Sequence, residues 1–549
     1  MKIKILLSLL VFLGAFIRLV NLGSIPAGFH EDEAHIGYNA YSLLKTAHDK
    51  NGMFLPLAID QFGDFRPAGL HYLTIPSIKI FGLTEFAIRL PVAIIGIITI
   101  LLFYFLTCEL FQNKIIALIG SATITVNPWH IIASRSTSES IVALFFVLLG
   151  SFLILRAMRS SKLQFFLMAI GFLSYAISFL FYHSARYFVP FLIIYLGCLT
   201  IKINKIRNAF IGLSILLIFL LLLLVKYSNG GGRISEISIF SMPTTQITLW
   251  EQKKEDLNKN PYLINFFHNK IIDYTYEALS NYGKHFTPDF LFFIGGLPPR
   301  YRAPWNGNFY PTEAILFIVG FSTIITIIFQ KKETLSLKGI PLVWLLAGPI
   351  PAALTFEDIP HFQRAIMMLS GFIWISSYGL YILYKALSGV KRQIIITILS
   401  IFLIYNIATF MHDYFQHTNT HKTLYRNEGE KQLVLQLKNK YSKNNVILTT
   451  QNGNRLIFYL FFEKIDPLWY QQIGSPRDKN KLIFQNKRFV DADCPSYSAH
   501  ANDPLDTIYV DKGDCLIIGN VSIISSIYRP DNSVAFRFLK YKPNSKLVF

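Results

Sequence analysis

The chain has 549 residues, of which 52% are hydrophobic, 15% aromatic and only 15% charged, with a mean hydropathy of +0.40. That balance excludes an ordinary soluble globular protein and points to an integral membrane protein. The formal net charge of +19 does not signal a nucleic-acid partner. Lys and Arg stand in short clusters between apolar runs, not along one face with interleaved aromatics.

Runs long enough to cross a hydrocarbon core begin at Ile5, Phe86, Ile115, Ser140, Gln164, Tyr187, Asn208, Thr312, Ile340, Gln363 and Gln393. At about 20 residues per crossing they predict an all-α polytopic membrane protein with about eleven transmembrane helices. The first run lacks a small-residue cleavage site and reads as a retained helix. Basic residues recur at every second connection, which sets the orientation by the positive-inside rule. Lys2 and Lys4 come first, then Lys114, which stands against Glu109. Arg156, Arg159 and Lys162 follow, then Lys202, Lys205 and Arg207, then Lys331, Lys332 and Lys338, and finally Lys385, Lys391 and Arg392.

The N-terminus is therefore expected in the cytoplasm, with the connection 23–85 and the C-terminal tail outside. Residues 23–85 carry seven acids against four Lys or Arg, in keeping with an outer loop. Usage rich in Lys, Ile and Asn fits an AT-rich bacterium, so the expected location is the bacterial plasma (inner) membrane.

Within the loop 23–85 the cluster His30-Glu31-Asp32-Glu33-Ala34-His35 opens an amphipathic segment. From Asp32 to Thr46 the apolar positions Ile36, Tyr38, Ala40, Leu43 and Leu44, with Ala47 just beyond, predict a helix lying along the membrane surface. Asp49-Lys50-Asn51-Gly52 ends it with turn chemistry, and a second short helix is expected from Gly69 to Ile80. Acids at a helix start also cap it and complement its dipole, worth about 0.3–1 kcal/mol.

Further outer connections carry Asn127-Pro128-Trp129-His130 with Arg135, then His183 with Arg186, then Glu357-Asp358-Ile359-Pro360-His361 with Arg364. Singly these read as interfacial anchors of Trp, Tyr and Arg; together they make a candidate anion pocket. The large outer loop 226–311 holds Gly230-Gly231-Gly232-Arg233, read as a hinge because the residues of a nucleotide-binding loop are missing, and Arg300-Tyr301-Arg302.

Two domains follow from this pattern, a transmembrane domain over 1–411 and a small α/β extracytoplasmic domain over 412–549. The tail predicts helices at Gln432–Tyr441 and Asn454–Glu463 and strands at Val446–Thr450, Thr507–Val510, Cys515–Ile518 and Val534–Leu539. It shows no catalytic motif. Cys108 and Cys198 fall in or beside spans and read as packing residues. Cys494 and Cys515 lie in the exported tail, where a disulfide is permitted.

The ordered set His30-Glu31-Asp32-Glu33-Ala34, Asp64-Phe65-Arg66-Pro67 with His71-Tyr72, and Glu85-Phe86-Ala87-Ile88-Arg89-Leu90-Pro91 resembles the first outer loop of membrane glycosyltransferases of the GT-C class. The likeness is to the protein O-mannosyltransferase and lipid A aminoarabinose transferase group, of glycosyltransferase family 39 type. Asn127-Pro128-Trp129-His130 and Asp289-Phe290-Leu291-Phe292 support it, and in layout it covers about residues 5–410, its motifs mainly the first 140.

The resemblance implies a polyprenyl-phosphate-linked sugar donor and an acidic pair that supplies the catalytic base, here Asp32 with Glu33 beside it. It implies a cation on the donor phosphate where related enzymes carry Lys before Pro; this chain has Arg66 there. Those enzymes place an acid immediately before that Lys, whereas this chain has Phe65 and an acid one place earlier, Asp64. Arg135, Arg186, Arg302 and Arg364 are further phosphate candidates. His30, Glu31, Asp64, His71, Tyr72, His183 and His361 are candidates for substrate contact.

The expected reaction is transfer to a hydroxyl of a lipid, glycan or protein acceptor, with inversion. A phosphate leaving group requires little protonation, so no cofactor is required, and no His, Cys and acid spacing marks a metal site. A divalent cation on the carboxylates would suit hard oxygen ligands. The competing reading is a non-catalytic transporter of polyprenyl-linked glycans, which would leave the sugar bond intact; a glycan polymerase or ligase using larger lipid-linked chains is a third.

Overall fold

The computed structural model describes residues 2–61, 63–160, 162–200, 204–227, 237–256, 261–330, 336–421, 423–449, 455–473, 483–498, 503–504 and 506–542. The triglycine at 230–232 lies outside these residues, as do Lys202, Lys331 and Lys332. In chain order the first helices are α1 (Lys2–Leu19), α2 (Glu31–Thr46), α3 (Gly69–Phe81), α4 (Glu85–Phe111), α5 (Lys114–Val126), α6 (Pro128–Arg135), α7 (Glu139–Arg159), α8 (Gln164–Ser178), α9 (His183–Thr200) and α10 (Asn204–Tyr227). Two short strands, β1 (Ala58–Gln61) and β2 (Asp64–Pro67), stand between α2 and α3.

Every expected start falls on a helix or within a few residues of one, yet length and hydropathy do not give eleven spans. Among the described residues five helices are long and apolar enough to cross a membrane: α4, α7, Ile206–Leu224, Pro311–Phe329 and Gly389–Asn419. A sixth is added if α5 and α6, bent by 53°, form one broken span. Proline accounts for part of the shortfall. Pro128 follows the Asn127 cap where α5 gives way to α6, and Pro349 and Pro351 divide the run from Ile340 into helices of 8 and 4 residues.

The chain divides into two compact units. The first comprises Met1–Val20, Asp64–Pro67 and Val92–Asp413. Its helices close on small residues: a Cβ on Gly379 would lie 1.9 Å from the Leu316 carbonyl oxygen, and one on Gly320 2.0 Å from that of Ile375. This backbone approach of Pro311–Gln330 to Met368–Ala386 is the small-residue packing that helices adopt where lipid supplies no hydrophobic drive. Large aromatics fill the interior, with Phe103 stacked on Trp374 at 5.1 Å. At the α4 and α7 ends Glu109 takes Arg156 at 3.0 Å and Arg159 at 2.9 Å.

The second unit comprises Asn21–Gly63, Ala68–Pro91 and Tyr414–Phe549. The tail is therefore not a separate body, since one core joins Phe29, Ala34, Tyr38 and Ala40 to Leu433, Leu448, Phe458, Phe461 and Phe538. The sheet runs β4-β5-β3-β6-β8-β7, with β4 Ile483–Phe484, β5 Lys487–Val490, β3 Val446–Thr449, β6 Ile508–Lys512, β8 Val534–Tyr541 and β7 Val521–Tyr528. β3 pairs parallel with β5 and β6, and the remaining pairs are antiparallel.

The strand expected at Cys515–Ile518 is a loop instead: Cys515 is bridged to Cys494, and the backbone turns at Gly519, φ +81°, before β7 begins. The helix expected along the membrane surface is α2, and it lies inside this unit, with Glu33 to Ala40 all buried.

Candidate active site

The head of α2 is a capping box. His30 Nδ1 accepts the Asp32 N–H at 3.1 Å, and Glu33 Oε2 accepts the His30 N–H at 3.2 Å, an arrangement worth roughly 0.5–2 kcal/mol to the helix. The same Nδ1 lies 3.4 Å from Asp32 Oδ2. The Glu31 N–H donates to Asn427 Oδ1 at 3.3 Å.

The three consecutive acids have different surroundings. Glu33 is 7% exposed and meets Arg89 through two bonds of 2.9 Å, from Nε to Oε1 and from Nη2 to Oε2. Arg89, 1% exposed, also donates to the carbonyls of Leu22, Pro26 and Gly28. Asp32 keeps a side chain 17% exposed, and its Oδ1 accepts a hydrogen bond from Nε2 of Gln61 at the end of β1. Glu33 is thus built into the scaffold, whereas Asp32 reaches the surface.

Behind Asp32, at helical spacing, come His35 and Asn39, both fully buried. Asn39 Nδ2 donates to the His35 carbonyl at 2.9 Å and lies 3.2 Å from its Nδ1. The His71 ring stands edge-on to His35 at 6.2 Å, and Tyr72 donates its hydroxyl to the Pro56 carbonyl at 2.9 Å. Burial pushes the Tyr72 phenol up, helped by Asp49. Burial likewise raises the Asp49 carboxyl, against the pull of the Met53 and Asn51 N–H groups on its Oδ1.

The other candidates belong to the first unit. Asp64 and Arg66 pair at 3.1 Å. Residues two apart share one face of a strand, so the acid placed one position early is the one that can meet the arginine, while Phe65 points the other way. Arg135 is fully buried and donates to the carbonyls of Ile17 and Val20. Arg186 donates through Nε and Nη2 to the Phe179 carbonyl, and Arg302 to that of Gly296. Arg364 binds Glu357 Oε2 at 2.9 Å and the Thr355 hydroxyl.

His361 takes the N–H groups of Gln363 and Arg364 on Nδ1. Its own N–H donates to His285 Nε2, whose Nδ1–H reaches the Asn281 carbonyl. Burial moves His285 down to about 4, so its imidazole is neutral at neutral pH and serves as an acceptor for the His361 backbone. His183 sits half-buried at the start of α9. Trp129, read as an interfacial anchor, is instead fully buried and donates Nε1–H to the Phe362 carbonyl at 3.1 Å.

Two residues that matter were not singled out by the pattern of the sequence. Gln61 stands three residues before the Asp64-Phe65-Arg66-Pro67 motif with nothing in the sequence to mark it. Arg18, fully buried, reaches the carbonyls of Ile124 and Thr125 and lies 2.7 Å from His130 Nδ1; a lone charge in an apolar helix was its only signal.

Residues 8–225 match the family model of dolichyl-phosphate-mannose-protein mannosyltransferase. A putative mannosyltransferase of Bacillus subtilis (strain 168), YkcB, is 26% identical over 181 residues, covering 31% of this chain and 24% of the relative. The chain thus matches about a quarter of that relative's length. ArnT from Cupriavidus metallidurans superposes over 97% of both chains at 12% identity with a TM-score of 0.52, and has also been solved bound to undecaprenyl phosphate. The chain has the ArnT fold. The GT-C resemblance therefore stands on architecture as well as motifs. The archaeal oligosaccharyltransferase AglB from Archaeoglobus fulgidus aligns over 84% of this chain and 64% of its own, at 13% identity and a TM-score of 0.49.

Proposed function

We propose that this chain is a membrane glycosyltransferase that moves a sugar from a polyprenyl-phosphate donor to a hydroxyl acceptor, with Asp32 as general base. The observation that carries the reading is the contrast between Asp32 and Glu33: Asp32 combines a partly exposed carboxylate with a fixed donor, Gln61, on one oxygen, whereas Glu33 is held by Arg89. The mannosyltransferase family match over 8–225 and the fold shared with ArnT support the reaction class. Mannose appears in the names of both the family and the relative, which makes it the first sugar to test.

In this mechanism Asp32 removes the proton of the acceptor hydroxyl as its oxygen attacks the anomeric carbon. The lipid phosphate leaves from the opposite face, inverting the configuration. Charge grows on the departing phosphate, so a fixed cation aimed there lowers the barrier. Arg66, 20% exposed, is the first choice, whereas Arg135 is committed to backbone carbonyls. Glu33 acts as a positioning residue through Arg89. The phosphate leaves as an anion, so the step as drawn needs no metal. The protein is placed in the bacterial plasma membrane with the 23–85 loop and the tail on the outer face, and the acceptor is a lipid, glycan or protein of the envelope.

The test uses the purified full chain, polyprenyl-phosphate-linked mannose, and detergent-solubilised envelope from a strain lacking the protein as acceptor. Wild type should transfer mannose, and Asp32→Asn should lose transfer while keeping the same melting temperature. Transfer by Asp32→Asn at the wild-type rate would remove the base assignment. Movement of the lipid with its sugar bond intact would favour a transporter.

A further inference from the structure

Gln61 closes β1 at a position that its neighbours make apolar. Its strand companion Ile59 is fully buried in a cluster with Leu43 and Ala68, and Gln61 itself is 1% exposed. An ionised carboxylate offers only acceptors, so the amide must turn Nε2 toward Asp32 Oδ1. That orientation sends Oε1 the other way, where it has no hydrogen-bond partner among the described residues. A buried acceptor without a partner costs roughly 1–3 kcal/mol. An aliphatic side chain would avoid that cost but could not hold Asp32.

We propose that Gln61 is a positioning residue that assigns different tasks to the two oxygens of Asp32. This rests on the reading of Asp32 as the base. The Nε2–H bond fixes Oδ1 and favours the ionised carboxylate, because a donor to the charged form stabilises it. Oδ2 is then the oxygen that takes the proton. In the transfer step the acceptor O–H bond breaks and the Oδ2–H bond forms. The acceptor oxygen bonds the anomeric carbon while the bond from that carbon to phosphate oxygen breaks, its electron pair leaving with the lipid phosphate. Gln61 gives and receives no proton; it fixes the direction from which the base works.

Two variants test this in the assay described above, with rates followed against pH and donor concentration. Gln61→Leu keeps the volume and removes the donor. It should lower kcat by about 10²-fold, the scale of a misplaced catalytic group, while the KM for polyprenyl-phosphate mannose stays within twofold of wild type. Gln61→Glu places a second carboxylate against the first, and should move the acid limb of the pH profile upward by on the order of one unit. A merely structural glutamine would lower the melting temperature of both variants without moving that limb.

The proposal is overturned if Asp32→Asn is inactive but folded Gln61→Leu keeps wild-type kcat, or if Gln61→Glu keeps the wild-type pH profile. If Gln61→Leu fails to fold, the Gln61→Glu profile decides alone. Activity retained in Asp32→Asn would instead bring down the reading of the base itself.

Discussion

Glu33 and Arg89 are 56 residues apart in the chain, and each is nearly inaccessible to water. An ion pair taken out of water repays its desolvation only through good geometry and further hydrogen bonds; here Arg89 adds three carbonyls. Removing one partner leaves the other charge stranded. Arg89→Ala should therefore destabilise the second unit by about 3–5 kcal/mol, seen as a lowered melting temperature of the full chain in detergent. Glu33→Gln combined with Arg89→Ala should cost less than the sum of the single changes, since the pair interacts directly. Additive losses would mean that the two side chains are not coupled.

The sequence could present three carboxylates in a row but could not rank them by chemistry alone, because the partners that distinguish them, Arg89 and Gln61, come from distant segments. Only the resemblance singled out Asp32. The pairing of Asp64 with Arg66, by contrast, was available from strand periodicity and needed only the recognition of β2.

At the scale of elements, α2 shows why periodicity predicts a helix better than its surroundings. Its apolar positions specify a face to be covered, and lipid or protein would cover it equally well. The cover is protein: Tyr38 donates its hydroxyl to the Ile465 carbonyl at 3.2 Å, and Gln471 Nε2 reaches the Ser42 and Thr46 hydroxyls and the Asp49 carbonyl. Gly37 marks the closest approach, since a Cβ there would lie 2.5 Å from the Phe461 ring and 2.9 Å from Ile88 Cδ1.

Gly37→Val should thus force α2 away from Leu456–Phe462 and carry Asp32 with it. Overpacking of this kind costs about 1–3 kcal/mol, and transfer should fall although no residue near the carboxylate has changed. Normal transfer by a destabilised Gly37→Val protein would show that the tail does not govern the position of Asp32. The tail carries no catalytic motif of its own, and its sequence gave no hint that it houses α2. A core shared between residue 29 and residue 538 leaves no local trace.

At the scale of the whole molecule, that shared core constrains topology. Residues packed in one core lie on one side of a membrane, so the stretch that leads from the α4 start at Glu85 to the end of Gly389–Phe415 must cross an even number of times. The five long apolar helices all fall in this stretch and by themselves give an odd number. Counting the bent pair of α5 and α6 as one span gives six and restores the parity. The ten expected starts from Phe86 onward are also even, and each coincides with or adjoins a helix. Apolar run length was legible in the sequence; that Asn127-Pro128-Trp129-His130, expected as an outer connection, opens the further helix α6 was not.

Parity is open to a direct measurement. Asn51→Cys and Ser533→Cys place a thiol at exposed positions of the 23–85 loop and the tail respectively. A membrane-impermeant maleimide should label both in intact spheroplasts, or neither before lysis. Labelling of one without lysis and of the other only after it would separate the loop from the tail. It would thereby contradict the common core of α2 and the C-terminal sheet on which the placement of Asp32 depends.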